Sequence, residues 1–122
     1  MLLNNNMDLL LNDYDDDFDN AITSIDIFND SKELLTNYDT LKKNNISKPI
    51  MSKYERATVI GIRAQQISSG AIPLVDVPKH LTNSINIAEY ELNKRKTPFI
   101  IRRKIGNIYE YWKIEDMAYQ YK

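Results

Sequence analysis

The sequence predicts an α+β fold: a body of two helices and a C-terminal β-hairpin over residues 49–122, preceded by an acidic arm over residues 1–48. Three observations carry that prediction. Ser52 and Glu55 stand three residues apart ahead of a periodic apolar run, the spacing of a helix-capping box. Two β-branched and aromatic runs, Phe99–Ile105 and Ile108–Ile114, flank the two-residue turn Gly106-Asn107. Charge divides the chain as well. Residues 1–48 hold ten acidic and four basic side chains, a sum of −6, and residues 49–122 hold seven acidic and twelve basic, a sum of +5.

In the first thirty residues apolar side chains are interleaved with aspartates, and neither a helical nor a strand period persists. Such a segment buries too little apolar surface to offset the entropy of ordering, so the arm is expected to be mostly disordered. Tyr14 and Phe18, set among Asp13, Asp15, Asp16, Asp17 and Asp19, are its candidate docking anchors. Asp13, Asp15 and Asp17 imitate the opening of a calcium loop, but Phe18 stands where that loop needs glycine and Ser24 where it needs glutamate. Asp17-Phe18-Asp19 lacks a third carboxylate, since Ala21 stands in its place, so no metal is expected. Residues 31–43 predict a short helix capped by Asp30 and Glu33, with Leu34, Tyr38 and Leu41 on one face. A helix of that length is marginal in water and is expected to be transient or to order on binding. Asn44 to Pro49 breaks it and marks the expected domain boundary.

In the body, Ala57, Ile60, Ala64 and Ile67 follow one face of a helix from Tyr54, and Val59 and Ile62 add a second apolar flank. The helix is therefore expected to touch material on two sides. Gly61 in its middle costs about 1 kcal/mol against alanine and reads as a place where another backbone approaches closely. Gly70 supplies a left-handed cap. Pro73 and Pro78 pin an extended connector. Thr82, Asn83 and Ser84 offer caps for a second helix, Ile85 to Lys96, with Ile85, Ala88 and Leu92 inward and Lys94, Arg95 and Lys96 in its last turn. A type II′ turn at Gly106 pairs Ile105 with Ile108, Arg103 with Glu110, Ile101 with Trp112 and Phe99 with Ile114. That face is apolar apart from the opposed ion pair Arg103–Glu110. The other face carries Arg102, Lys104, Tyr109 and Tyr111. Residues 115–122 are expected to add a helical turn.

Several function classes fall away. With no cysteine, neither disulfides nor thiolate metal sites form. The N-terminus lacks a basic n-region, and no apolar run reaches the ~20 residues of a membrane span, so a soluble intracellular protein with no membrane partner is expected. His80 is the only histidine, and no nucleophile–base pair, phosphate loop or ligand cluster occurs. Neither catalysis nor a cofactor is expected. The basic, tyrosine-bearing hairpin face leaves a stand-alone nucleic-acid-binding module as the alternative, although the acidic arm would compete with phosphates for it.

The residues Met51-Ser52-Lys53-Tyr54-Glu55-Arg56-Ala57, then Gly61, Arg63-Ala64, Gln66-Ile67-Ser68, Gly70-Ala71, Ile87-Ala88, Glu91-Leu92, Lys96, Pro98, Ile101-Arg102-Arg103 and Trp112 form an ordered pattern. It resembles the small subunit shared by the eukaryotic nuclear RNA polymerases, the counterpart of bacterial omega and archaeal subunit K. The likeness covers about residues 50–117. It departs at Asn83-Ser84, where the family has Asp-Pro, and at the hairpin turn, one residue shorter than usual. The resemblance implies a non-catalytic subunit that clamps the largest polymerase subunit and promotes assembly. It places Tyr54, Glu55, Arg56, Gly61, Arg63, Gln66, Ile67, Pro98, Arg102 and Arg103 at that contact. Nucleic acid is then met only through the complex. The resemblance also implies that Tyr14 and Phe18 dock a general transcription factor. Thr23 and Thr36, each three residues before an aspartate, have acidic-directed kinase spacing. The implied location is the nucleus for a cellular protein, or a virion or cytoplasmic factory for one encoded by a large DNA virus, whose versions the compact body also resembles.

Overall fold

The computed structural model describes residues 22–119. In chain order they form β1 (Ile22–Asn29), α1 (Lys32–Lys42), α2 (Lys53–Ser68), α3 (Ser84–Asn93), β2 (Phe99–Ile105), β3 (Ile108–Lys113) and a 3₁₀ turn (Ile114–Asp116). The strands make one antiparallel sheet in the order β1-β2-β3. The α+β class is as expected, with a third strand added at the edge of the hairpin.

The hairpin forms in the expected register, with Arg103 opposite Glu110 and Ile101 opposite Trp112. Gly106 has φ 61°, the left-handed value a type II′ turn requires of its first central residue. On the inner face Phe99, Ile101, Trp112 and Ile114 pack with Val59 of α2, Leu92 of α3, Met51 and Met117 into the core. Val59 and Ile101 are fully buried. The tail closes this core from below: Met51 N–H donates to the Ala118 carbonyl at 2.7 Å, and Ala118 N–H to that of Pro49 at 2.9 Å.

The segment assigned to the arm is corrected by the structure. Residues 22–29, expected to lack order, pair with the whole length of β2. A β-bulge explains why no strand period shows: the register shifts between Ile22 and Ser24. Ile22 opposite Ile105, Ile25 opposite Arg103 and Ile27 opposite Ile101 thus share the inner face despite their uneven spacing. Helix α1 presents the expected face, with Tyr38 buried and Leu34 and Leu41 half-buried. Its cap is Ser31, not Asp30, and Ser31 Oγ accepts from Leu34 N–H at 3.2 Å. Nor does α1 await a partner. The Tyr38 hydroxyl donates to Asp116 at 2.6 Å and accepts from Lys113 N–H at 3.0 Å, tying α1 to the end of β3. The linker Asn44–Pro49 is tied to β3, because the Asn45 side chain bonds both backbone groups of Tyr111 at 2.7 and 3.3 Å. Asn45 acts there as a one-residue substitute for a further strand.

Helices α2 and α3 both end in Schellman caps. Gly70, φ 112°, closes α2, with Gly70 N–H bonded to Ile67 O and Ala71 N–H to Gln66 O. Helix α3 starts at Ser84 on the Asn83 cap and stops at Asn93, earlier than expected. Arg95 takes the left-handed position, φ 58°, with its N–H on Leu92 O and that of Lys96 on Glu91 O. The basic trio therefore lies beyond the helix, not within its last turn.

Candidate partner-binding surface

Helix α2 divides the site. Its capping box is complete: Glu55 N–H donates to Ser52 Oγ and Ser52 N–H to Glu55 Oε1, both at 3.0 Å. The same Glu55 carboxylate receives Arg103 from β2, Nε to Oε2 at 2.7 Å and Nη2 to Oε1 at 2.8 Å. Arg103 is fully buried and Glu55 is 1 % exposed. The other guanidinium hydrogens reach Ser47 Oγ at 3.0 Å and the carbonyls of Lys48 at 2.8 Å and Ile50 at 2.6 Å, so all five donors are satisfied. Glu110, opposite Arg103, takes hydrogen bonds from Ile46 N–H and from the Ser47 N–H and hydroxyl. Ser47 Oγ also accepts from Trp112 Nε1 at 3.1 Å. Arg103 and Glu110 thus face each other as expected, but each is satisfied by the chain that leads into α2.

Just over two turns further along α2, at Arg63, a second buried pair repeats the device. Arg63 meets Glu91 of α3 by a fork, Nε to Oε1 at 2.6 Å and Nη2 to Oε2 at 2.9 Å. Arg63 also donates to Gln66 Oε1 at 3.0 Å and Ile72 O at 3.2 Å, and Glu91 accepts from Leu74 N–H at 2.9 Å. The buried face of α2 therefore runs through Glu55, Val59 and Arg63, with Ala64 beside them. That corrects the expected face, because Ala57 is exposed and Ile60 and Ile67 are only half-buried. Hydrophobic periodicity misses a face whose buried members are ionic.

The ten expected contact residues separate accordingly. Glu55, Arg63 and Arg103 lie inside the chain and hold it together. Arg56 is partly covered: it pairs with Glu89 at 3.3 Å, donates to Asn93 at 3.1 Å and lies 4.4 Å over the Tyr119 ring. Gln66 and Ile67 are half-buried, and Gln66 also donates to Asn29 of β1 at 3.2 Å. Pro98 is half-buried and its carbonyl accepts from Asp30 N–H at 2.9 Å. Arg102 pairs with Asp26 at 2.7 Å, a bond that, with Tyr111, raises the guanidinium above its ordinary pKa. Tyr54, 70 % exposed, and Gly61 remain on the surface. With Ala57 and Gln65 they form an exposed stripe on α2 with no charge in it. A Cβ built on Gly61 meets nothing within 4 Å among the described residues, so no described backbone outside α2 itself approaches it.

Tyr14 and Phe18 lie outside the described residues. Thr23 falls at the β1 bulge, and Thr36 is exposed on α1 with its hydroxyl donating to Lys32 O at 2.7 Å. His80 is exposed on the connector. Among the described residues no three His, Asp or Glu side chains gather as a metal site, and no helix is long and apolar enough to cross a membrane. A cleft of about 630 Å³ between α2, α3 and the tail is lined by Arg56, Glu89, Leu92, Met117 and Tyr119, with Arg56 and Glu89 already paired.

Comparison with known proteins bears on this arrangement directly. Residues 45–99 match the family model described as RNA polymerase Rpb6. A Caenorhabditis briggsae protein named probable DNA-directed RNA polymerases I, II, and III subunit RPABC2 is 35 % identical over 99 residues, covering 80 % of this chain and 67 % of that protein. The chain belongs to the RNA polymerase Rpb6 family. Another relative, the Saccharomyces cerevisiae DNA-directed RNA polymerases I, II, and III subunit RPABC2, is 40 % identical over 85 residues, covering 64 % of this chain and 54 % of its own. The Arabidopsis thaliana DNA-directed RNA polymerases II and V subunit 6B is 43 % identical over 68 residues, covering 55 % and 46 %. The Rpb6 match begins in the linker that carries Ser47 and ends at Phe99. It therefore spans both Arg63 and Glu91 of the second buried pair, and Glu55 of the first.

Proposed function

We infer that this chain is a non-catalytic subunit of a DNA-dependent RNA polymerase and acts by clamping the largest subunit and promoting assembly. Its family supports the polymerase role, since the relatives are named as subunits of DNA-directed RNA polymerases. The observation that carries the docking role is the uncharged outer stripe of α2. In a chain 27 % charged, Tyr54, Ala57, Gly61 and Gln65 offer a flat polar-to-apolar surface backed by two buried ion pairs that hold the helix rigid. Gly61 lets a partner backbone come close, a role that no neighbour among the described residues fills. Arg56, Gln66, Ile67, Pro98 and Arg102 border the contact, whereas Glu55, Arg63 and Arg103 shape it from inside. Residues 1–21 would serve as a docking peptide for a transcription factor, through Tyr14 and Phe18, with Thr23 and Thr36 as modification sites. The site of action is the nucleus, as befits relatives from eukaryotic polymerases.

Coexpression tests this reading. With a largest-subunit fragment from the same source, the chain is expected to co-purify and to gain protease resistance. A soluble fragment and a soluble chain that pass each other without forming a complex would overturn it.

A further inference from the structure

The two outer edges of the sheet are finished differently. Backbone N–H and C=O groups point to alternate sides along a strand, and those of Tyr111 and Lys113 on β3 turn away from β2. The Asn45 side chain bonds both groups of Tyr111, at 2.7 and 3.3 Å, and the Tyr38 hydroxyl accepts from Lys113 N–H at 3.0 Å. Side chains of this chain thus cap the β3 edge.

The same alternation, carried across the sheet, fixes what β1 presents. Glu110 and Trp112 turn their backbone groups toward β2, so their partners Arg103 and Ile101 turn toward β3. Ile100, Arg102 and Lys104 therefore serve β1, where they meet Phe28, Asp26 and Ser24. Asp30 N–H keeps this parity and donates to Pro98 O at 2.9 Å. Ile25 and Ile27 are left with N–H and C=O groups directed out of the sheet. Among the described residues no hydrogen bond reaches those groups. Edges are ordinarily blunted by proline, lysine, a bulge or a covering element. Strand β1 holds neither proline nor lysine, and its bulge lies at the far end, between Ile22 and Ser24.

Helix α2 stands beside this edge. Gln66 donates to the Asn29 side chain at 3.2 Å, and Ile62, one turn earlier, packs on the core together with Ile25 and Ile27. Thr58, Ile62 and Gln66 form a half-buried row at four-residue spacing, next to Tyr54, Ala57, Gly61 and Gln65. The β1 edge and the outer stripe of α2 thereby join into one surface without a charged side chain. The only charge on β1, Asp26, lies on the sheet's outer face, paired with Arg102 at 2.7 Å.

We propose that β1 takes up a further strand from the polypeptide that docks on the α2 stripe, a step that rests on the docking reading above. The occupant is an extended segment of the largest polymerase subunit. Its backbone groups pair with those of Ile25 and Ile27, and its inward side chains are apolar because they lie over Ile25, Ile27 and Ile62. In such additions the main-chain bonds supply affinity and the alternate side chains specificity.

Hydrogen exchange resolved to single amides tests this in the full chain, free and within the assembled polymerase. In the free chain the Asp26 and Phe28 amides are expected to exchange slowly and those of Ile25 and Ile27 fast. In the polymerase both isoleucine amides are expected to slow by about tenfold or more. N-methylation of the Ile27 amide removes only an outward donor. The free chain is then expected to melt as the parent does, while its incorporation into the polymerase weakens about tenfold, as for one lost hydrogen bond. A chain bound in the polymerase whose isoleucine amides still exchange fast overturns the strand addition and leaves docking on α2 standing. So does undiminished incorporation of the methylated chain. Protection of Ile25 and Ile27 in the free chain that rises with its concentration assigns the edge to a second copy and overturns the proposal too. A polymerase that assembles without the chain refutes the docking reading itself.

Discussion

Replacing Arg103 by methionine removes a buried cation while leaving its surroundings otherwise intact. The arginine gives five hydrogen bonds of 2.6–3.0 Å, two to Glu55, one to Ser47 and two to backbone carbonyls. Methionine fills much of the same volume and satisfies none of them. Glu55 would then sit 1 % exposed with its charge uncompensated, and it also caps α2, so the loss spreads from the sheet to the helix. Breaking one partner of a buried pair costs about 3–5 kcal/mol. A domain of this size holds about 5–15 kcal/mol in total. Arg103→Met should therefore remove about a fifth of the stability or more, read as a lower urea midpoint with an unchanged slope. Arg103→Lys keeps the charge but loses the fork, and should cost about 2–3 kcal/mol through acceptors left unmatched. The double change Arg103→Met with Glu55→Gln should be less harmful than the sum of the two singles, since the stranded charge is gone. If Arg103→Met unfolded within about 1 kcal/mol of the parent, the pair would not be holding the fold. The arginine would then be available for a partner after all.

Other outcomes follow from the same contacts. Burial alone would push the Asp116 carboxyl up, but the Tyr38 hydroxyl, Lys42 at 3.3 Å and Lys113 outweigh it, so its pKa lies below the ordinary 3.8. A depressed carboxylate stabilises the fold above its unfolded pKa and loses that contribution as pH falls through the folded one. Urea melts of the parent and Asp116→Asn should accordingly differ at pH 7 and converge below pH 3.8. Asn45→Ala should leave the Tyr111 backbone groups at the β3 edge open, cost about 1–2 kcal/mol and raise aggregation in light scattering. Gly61→Ala should stabilise the free chain by up to about 1 kcal/mol in thermal melts, since its Cβ meets open space. Gly61→Phe should leave the free chain folded yet weaken capture of the largest subunit.

What the sequence made legible was local. The Ser52–Glu55 box, the Gly106 turn, the hairpin register and the Gly70 cap each depend on a few neighbouring residues, and each forms as read. The rest depended on contacts distant in sequence. Strand β1 escaped notice because its bulge puts Ile22, Ile25 and Ile27 on one face at steps of three and then two, which together fit neither a strand nor a helix period. Helix α1 read as marginal because its anchor, Asp116, lies 78 residues from Tyr38. The inward face of α2 was mistaken because Glu55 and Arg63 are buried only by virtue of Arg103 and Glu91. Among the motif residues, Glu55, Arg63 and Arg103 are buried within the chain, whereas Tyr54 and Gly61 are exposed. An arginine opposite a glutamate on an otherwise apolar hairpin face was the available signal that ions belonged to the core.

The central claim, that the outer stripe of α2 docks this chain on the largest polymerase subunit, is tested most directly by photo-crosslinking at Tyr54 in the assembled polymerase. A photoreactive residue there, 70 % exposed in the free chain, should join the chain to the largest subunit in one dominant product. The same residue at His80 should give little of it. A polymerase that assembles with the chain bound, yet crosslinks Tyr54 only to other subunits or to none, would contradict the account.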